Sequence, residues 1–262
     1  MKINKVYQGD CLQVMKDISD KSIDMILCDL PYGVLNKNNP HAKWDSVISF
    51  DLLWEQYERI IKDNGAIVLT AQGMFSANLM KSNEKLWRYN LIWKKSNRVS
   101  GFLNANRQPM RNHEDILIFS KGQTIYNPQM TIGEKNHKKG GAGNSNEKQA
   151  RNGCYGGFKS TPTVETNEKY PISIIDVDKE HPQKYHPTQK PVALFEYLIK
   201  TYTNEGDLVL DNCAGSGTTG VACKNLNRNY ILIEKEPEYI DIINKRLNQV
   251  LELGATDTNK IK

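Results

Sequence analysis

A glycine-rich turn between two apolar strands, very late in the chain, constrains this sequence more than any other feature. Leu208-Val209-Leu210 reads as a strand, Asp211-Asn-Cys-Ala-Gly-Ser-Gly-Thr-Thr-Gly220 follows it, and a helix begins near Thr218-Thr219. Gly215, Gly217 and Gly220 keep the G-x-G-x-x-G spacing that lets backbone approach a nucleotide cofactor at a helix N-terminus. Tyr230-Ile231-Leu232-Ile233 is the next strand, and Glu234 closes it, where a carboxylate accepts hydrogen bonds from ribose hydroxyls. Only 28 of the 262 residues follow Glu234, too few for the other strands of such a sheet. The remaining strands must therefore precede the turn, and the cofactor half comes last.

The earlier chain alternates strands and helices. Lys5 to Gln8 reads as a short strand, Cys11 to Ile18 as a helix, and Ile23 to Cys28 as a buried strand. A helix is expected from Asp51 to Ile61, with Leu52, Leu53, Tyr57, Ile60 and Ile61 on one face and Asn64-Gly65 as its stop. A strand at Ala66–Thr70, a helix from Met74 to Met80 and strands at Tyr89–Trp93 and Ile116–Phe119 follow. Thr188 is expected to cap a helix from Gln189 to Tyr202, with Pro191 in its first turn, and a last helix runs from Pro237 to Val250. This pattern predicts an α/β fold with a parallel-type sheet and ligands beyond the C-terminal strand ends. Asp29 and Asp211, each just past a strand, then line one crevice.

Composition narrows the class. With 39% apolar and 25% charged residues the chain buries one good-sized core, with room for an inserted subdomain. No window approaches the run of about 18 apolar residues that a membrane span needs, and the N-terminus has no apolar signal core. The five cysteines are odd in number, scattered and never spaced C-x-x-C, which predicts a reduced cytosolic protein with neither a disulfide framework nor a zinc site. Charge is uneven: Lys121 to Ser160 holds seven basic and two acidic residues, as much excess as the whole chain's +5. A polyanion is the obvious partner, and a solvated Lys/Gly loop the competing reading.

At the first strand end, Asp29-Leu30-Pro31-Tyr32 resembles the [D/N/S]-P-P-[Y/F/W] motif of S-adenosylmethionine-dependent DNA amino-methyltransferases. Asp211 to Gly220 is similar to their D-x-F-x-G-S-G-T-T loop. His186-Pro-Thr-Gln-Lys-Pro191, Gly9-Asp10-Cys11-Leu12 and Asn112-His-Glu-Asp-Ile-Leu-Ile-Phe-Ser120 fit the permuted group usually called β. The resemblance spans roughly residues 5 to 248 and implies a Rossmann-like methyltransferase sheet, circularly permuted. It implies a catalytic half over residues 1–120, a loop-rich target-recognition region over 121–180, a cofactor half over 181–250 and a tail over 251–262. S-adenosyl-L-methionine is the implied cofactor and double-stranded DNA the implied substrate. Asp10, Asp29, His186, Thr188, Lys190, Asp211, Ala214, Gly215, Ser216, Gly217, Thr218, Thr219 and Glu234 are its implied cofactor contacts. No metal or membrane enters the implied function, while a homodimer and a cognate restriction endonuclease stay open.

The chemistry asks for these residue types. A base's exocyclic amino nitrogen is a poor nucleophile because its lone pair is delocalised into the ring. A carboxylate and a backbone carbonyl that accept both N–H bonds favour a more tetrahedral nitrogen; Asp29 suits the first role and the Leu30 carbonyl the second. Pro31 fixes φ and donates no competing N–H, and Tyr32 offers a flat face to a base pulled out of the duplex. The methyl donor is already activated, so catalysis is mainly orientation and charge placement. Leu30 and Cys213 depart from the family's Pro and Phe, and neither removes a charged group. Asp at the first motif position favours adenine N6 over cytosine N4, by association only. Lys138, Lys139, Lys148 and Arg151 are candidate phosphate contacts, and Arg98, Arg107 and Arg111 candidates for base edges or for the gap left by a flipped base. A non-catalytic DNA-binding module and a nicotinamide oxidoreductase are the rival classes. Asp10 as a plain helix cap and His186 as a surface histidine are the bland readings of those residues.

Overall fold

Ile23-Asp24-Met25-Ile26-Leu27-Cys28-Asp29 shows no regular polar alternation, as expected of a strand covered on both faces. The structure is a computed structural model that describes residues 1–35, 45–96, 98–135, 166–178, 185 and 188–256. Its ten strands are β1 (Lys5–Gln8), β2 (Ile23–Asp29), β3 (Ile61–Ala71), β4 (Trp87–Lys94), β5 (His113–Phe119), β6 (Thr131–Ile132), β7 (Glu168–Lys169), β8 (Ile174–Asp176), β9 (Leu208–Asp211) and β10 (Asn229–Glu234). Eight form one sheet in the order β1-β10-β9-β2-β3-β5-β4-β8. The expected parallel sheet is mixed: β5 alone runs against its neighbours β3 and β4. β4 and β5 are joined by a polar segment with no α-helix in its described residues, and without a crossover helix the chain returns antiparallel.

Side-chain alternation along β2 divides the core in two. Ile26 and Cys28 pack with α1 (Cys11–Val14), α2 (Phe50–Ile60) and α3 (Met74–Ser82). Met25 and Leu27 pack with α4 (Val192–Tyr202), α5 (Thr218–Asn225) and α6 (Pro237–Thr256). All four side chains are fully buried, and each of the larger ones contributes about 1.5–3 kcal/mol. Helices thus cover both faces, leaving the strand ends for chemistry.

Several boundaries differ from the sequence reading. α2 ends at Ile60, Leu52 faces solvent, and Ile61 already opens β3, so Asn64-Gly65 lies inside a strand. Gly65 is needed there because a Cβ would sit 2.8 Å from the Asp24 carbonyl. α1 stops at Val14 and gives way to a short 3-10 turn at Met15–Asp17. α4 starts at Val192 with Pro191 as its cap residue, not at Gln189 under a Thr188 cap. A residue before proline is held out of the helical region, so Lys190 lies outside the helix. α6 runs on to Thr256.

The larger compact unit comprises residues 1–127 and 172–262, and the smaller one residues 128–171. The smaller unit is narrower than the target-recognition region expected over 121–180, and β8 belongs to the main sheet beside β4. Within the small unit, β6 and β7 pair antiparallel. Among the described residues no helix is long and apolar enough to cross a membrane.

Candidate active site

β2 and β9 lie side by side with Met25 opposite Val209 and Ile26 opposite Leu210, so their last residues, Asp29 and Asp211, emerge at one edge of the sheet. Asp10, just past β1, and Glu234, the last residue of β10, join them there. Because β5 is antiparallel, its first residues bring His113 and Glu114 to the same edge.

Asp29 is held from three sides. Tyr32 places its hydroxyl 2.9 Å from Asp29 Oδ1, and Thr70, opposite Asp29 in β3, donates its hydroxyl to the same oxygen. Lys190 donates to Oδ2 at 2.5 Å. Its ammonium also lies 3.4 Å from Glu114 Oε2, while Lys95 pairs with Glu114 Oε1 at 2.5 Å. Burial pulls the Lys190 pKa down, but Asp29 and Glu114 outweigh it and hold it above its ordinary value. Burial likewise pushes Glu114 up, and Lys190 with Lys95 holds it below the usual carboxylate range. Burial and the Asp29 charge keep the Tyr32 phenol well above its ordinary value, so it remains a donor. One face of the Tyr32 ring packs on Phe75, with centroids 4.8 Å apart.

The glycine-rich turn is built from behind. Thr219, fully buried, donates to Asp211 Oδ2 at 2.5 Å, and the Cys213 amide donates to Oδ1 at 3.1 Å. Burial nevertheless raises the Asp211 carboxyl to about 6. Glu234 receives the amides of Gly215, Lys235 and Glu236 at 2.7, 2.8 and 2.9 Å. Arg246 from α6 donates to the Ser216 carbonyl at 2.6 Å and lies 3.3 Å from the Thr218 hydroxyl. Gly217 is left-handed, and a Cβ there would meet Ile243 at 2.9 Å; Gly220 is likewise pressed on Leu232 at 2.7 Å. These two glycines thus also serve the packing of α5 on β10 and α6.

A cavity of about 390 Å³ is lined by Asp10 and Glu234, by the apolar Leu12, Pro31, Val47, Ile48 and Tyr239, and by Asn212, Cys213 and Gly215. An apolar lining with carboxylates in it, in a space of this size, suits an adenosyl group: ring against the apolar side chains, hydroxyls on a carboxylate. A smaller recess beside it is lined by Asp29, Thr188, Lys190, Asp211, Ala214, Ser216 and Thr218. Asp10 also caps α1, accepting the amides of Leu12 and Gln13 at 3.0 and 3.3 Å. Gly217 and Thr219 line neither space.

Some of the site was not legible from motifs. Thr70, Lys95 and Glu114 went unmarked; Glu114 sits within the Asn112–Ser120 stretch, and Thr70 closes an apolar run in register with Asp29. The scattered cysteines also converge, since the thiols of Cys11 and Cys28 both meet Cys213. These neighbours and burial push the Cys213 thiol well above its ordinary value, and burial pushes Cys28 to about 12. Among the sequence candidates, Arg98, Arg107 and Arg111 lie exposed between β4 and β5. His186, Lys138, Lys139, Lys148 and Arg151 lie outside the described residues.

The sequence profile of a DNA methylase family covering N6 and N4 methyltransferases matches residues 23–245. The chain is 31% identical to Type II methyltransferase M.HinfI of Haemophilus influenzae over 95% of its own length and 69% of the relative's. It is 31% identical to Type II methyltransferase M2.MboI of Moraxella bovis, over 94% of its length and 88% of that protein. The crystal structure of the M1.HpyAVI–SAM complex superposes with a TM-score of 0.62 at 28% identity, covering 93% of this chain and 98% of the other.

Proposed function

Because this chain belongs to the DNA methylase family, we propose that it transfers a methyl group from S-adenosylmethionine to adenine N6 in duplex DNA, on a base turned out of the stack. One observation carries the reading: the Asp29 carboxylate, oriented by Lys190, Tyr32 and Thr70, lines a recess adjoining the space that Asp10 and Glu234 line. When bound, the cofactor supplies a sulfonium-activated methyl group. Asp10 and Glu234 take its adenosine end, and the turn from Asp211 to Thr219 shapes the recess between that end and Asp29. Thr188 lines the same recess. Lys190, which lines the recess, also serves Asp29: its ammonium holds the carboxylate in place and balances its charge.

Asp29 accepts one N–H of the target amino group and the Leu30 carbonyl accepts the other, which turns the nitrogen lone pair toward the methyl carbon. The Leu30 side chain is buried in the core, so Leu in place of the family's Pro is anchored by packing. Tyr32 gives the base a flat partner and, as a donor, keeps Asp29 aligned. Lys138, Lys139, Lys148 and Arg151 meet phosphates. Asp at the first motif position supports adenine. The Type II names of both relatives support pairing with a restriction endonuclease, and DNA as substrate supports a cytoplasmic location.

Sequencing DNA from a host expressing the protein, with reads sensitive to base modification, tests this. N6-methyladenine in one short motif is expected, and it vanishes with Asp29→Asn. N4-methylcytosine reassigns the base, and unmodified DNA from the wild type overturns the enzyme reading.

A further inference from the structure

The segment between β4 and β5 leaves the sheet at the edge that carries Asp29. Its two roots, Lys95 and Glu114, are paired with each other, and Glu114 faces Lys190, which faces Asp29. Farther out, Ser100 and Arg111 exchange both backbone hydrogen bonds, at 2.8 and 2.9 Å, so the residues between them form a closed arm. Gly101, left-handed at φ 84°, turns the chain into a short 3-10 turn at Phe102–Asn104. At that tip Phe102 is 70% exposed and Leu103 83%, the most exposed large apolar side chain among the described residues. Val99 and Met110 flank the tip and are exposed too. The residues from 98 to 111 include Arg98, Arg107 and Arg111 and neither Asp nor Glu.

Contiguous apolar exposure on a tied-down arm marks a surface meant to be covered. An apolar tip on an arm that carries three guanidinium groups matches stacked bases rimmed by phosphates: the tip enters the stack and the arm meets the backbone. We propose that Phe102 and Leu103 are a wedge that enters the duplex beside the target base and fills the space it vacates, while Arg98, Arg107 and Arg111 hold the adjoining phosphates. The proposal rests on the DNA-methylating function above. It places the wedge on an arm rooted at the strand ends that also present Asp29.

The test uses the full chain carrying Phe102→Ala and Leu103→Ala together. Both side chains face solvent, so urea unfolding and S-adenosylmethionine affinity should match wild type. On a matched duplex kcat/KM should fall about tenfold to hundredfold, the loss expected when stacked side chains are removed, and 2-aminopurine at the target should lose its fluorescence rise. On a duplex with an abasic site opposite the target, where little unpairing is needed, the variant should come within a few-fold of wild type. Equal losses on the two duplexes overturn the wedge, as does no loss on either. Conversion of a dimer to a monomer in sedimentation, with no recovery on the abasic duplex, assigns the tip to a second copy and overturns it as well. Wild-type protein that methylates no DNA brings down the underlying function. Active wild type with an indifferent variant brings down the wedge alone.

Discussion

Replacing Lys190 with methionine takes one charge from a cluster that is otherwise neutral, with Asp29 and Glu114 set against Lys95 and Lys190. The Lys190 side chain is 7% exposed, with its ammonium 2.5 Å from Asp29 and 3.4 Å from Glu114. At an effective dielectric of about 20 these separations correspond to attractions of about 7 and about 5 kcal/mol. Desolvation takes back several kcal/mol per ion, so losing one partner should cost about 3–5 kcal/mol net. Among the described residues Glu114 Oε2 has no donor in hydrogen-bonding geometry and depends on the Lys190 charge, while Lys95 keeps Oε1, so the loss leaves the cluster with one negative charge in excess. Adding Glu114→Gln restores its neutrality, so Lys190→Met/Glu114→Gln should recover part of the stability lost by Lys190→Met alone.

The pH dependence carries a sign. In the wild type Glu114 is held below its ordinary pKa, so its contribution is present above the unfolded value and is lost as pH falls through the folded one. Without Lys190 only Lys95 still offsets burial, so the folded pKa rises and less of that contribution remains to be lost in acid. The wild-type advantage should therefore narrow as pH falls below the unfolded value of about 4.3. Urea unfolding of the three proteins at about pH 8 and about pH 3 measures this. A Lys190→Met loss below about 1 kcal/mol at pH 8, or a double variant no more stable than the single one, refutes the reasoning.

Gly217→Val should destabilise the protein by about 3 kcal/mol, from a left-handed β-branched residue and a Cβ pressed on Ile243, and urea midpoints report it; unchanged stability means the turn relaxes freely. The Asp211 carboxyl, followed by carbon-13 NMR in the cofactor-free protein, should titrate at about 6, its burial weakening the fold as pH rises through that value; a midpoint near the ordinary carboxylate value of about 3.9 contradicts the burial argument. Lys138→Ala/Lys139→Ala should flatten the slope of log K against log salt for duplex DNA by about 1.8, and an unchanged slope removes those lysines from the phosphate contacts.

What the sequence determined by itself was local. An apolar run ending in a carboxylate, a glycine-punctuated turn and a strand closed by Glu234 each depend on residues a few positions apart, so the strand ends bearing Asp29, Asp211 and Glu234 were legible. Their order along the chain also required a sheet assembled from both halves, which the pairing of β9 with β2 realises. The reversal of β5, the late start of α4 and the company of Asp29 were decided by the tertiary structure. Lys190 is 161 positions from Asp29, and only sheet register, with Pro191 holding Lys190 out of the helix, brings its ammonium onto that carboxylate. The meeting of Cys11, Cys28 and Cys213 has the same origin. Periodicity reports which face a side chain takes within its own element; which charges share a buried site depends on how distant strands pair, and burial turns that pairing into energy.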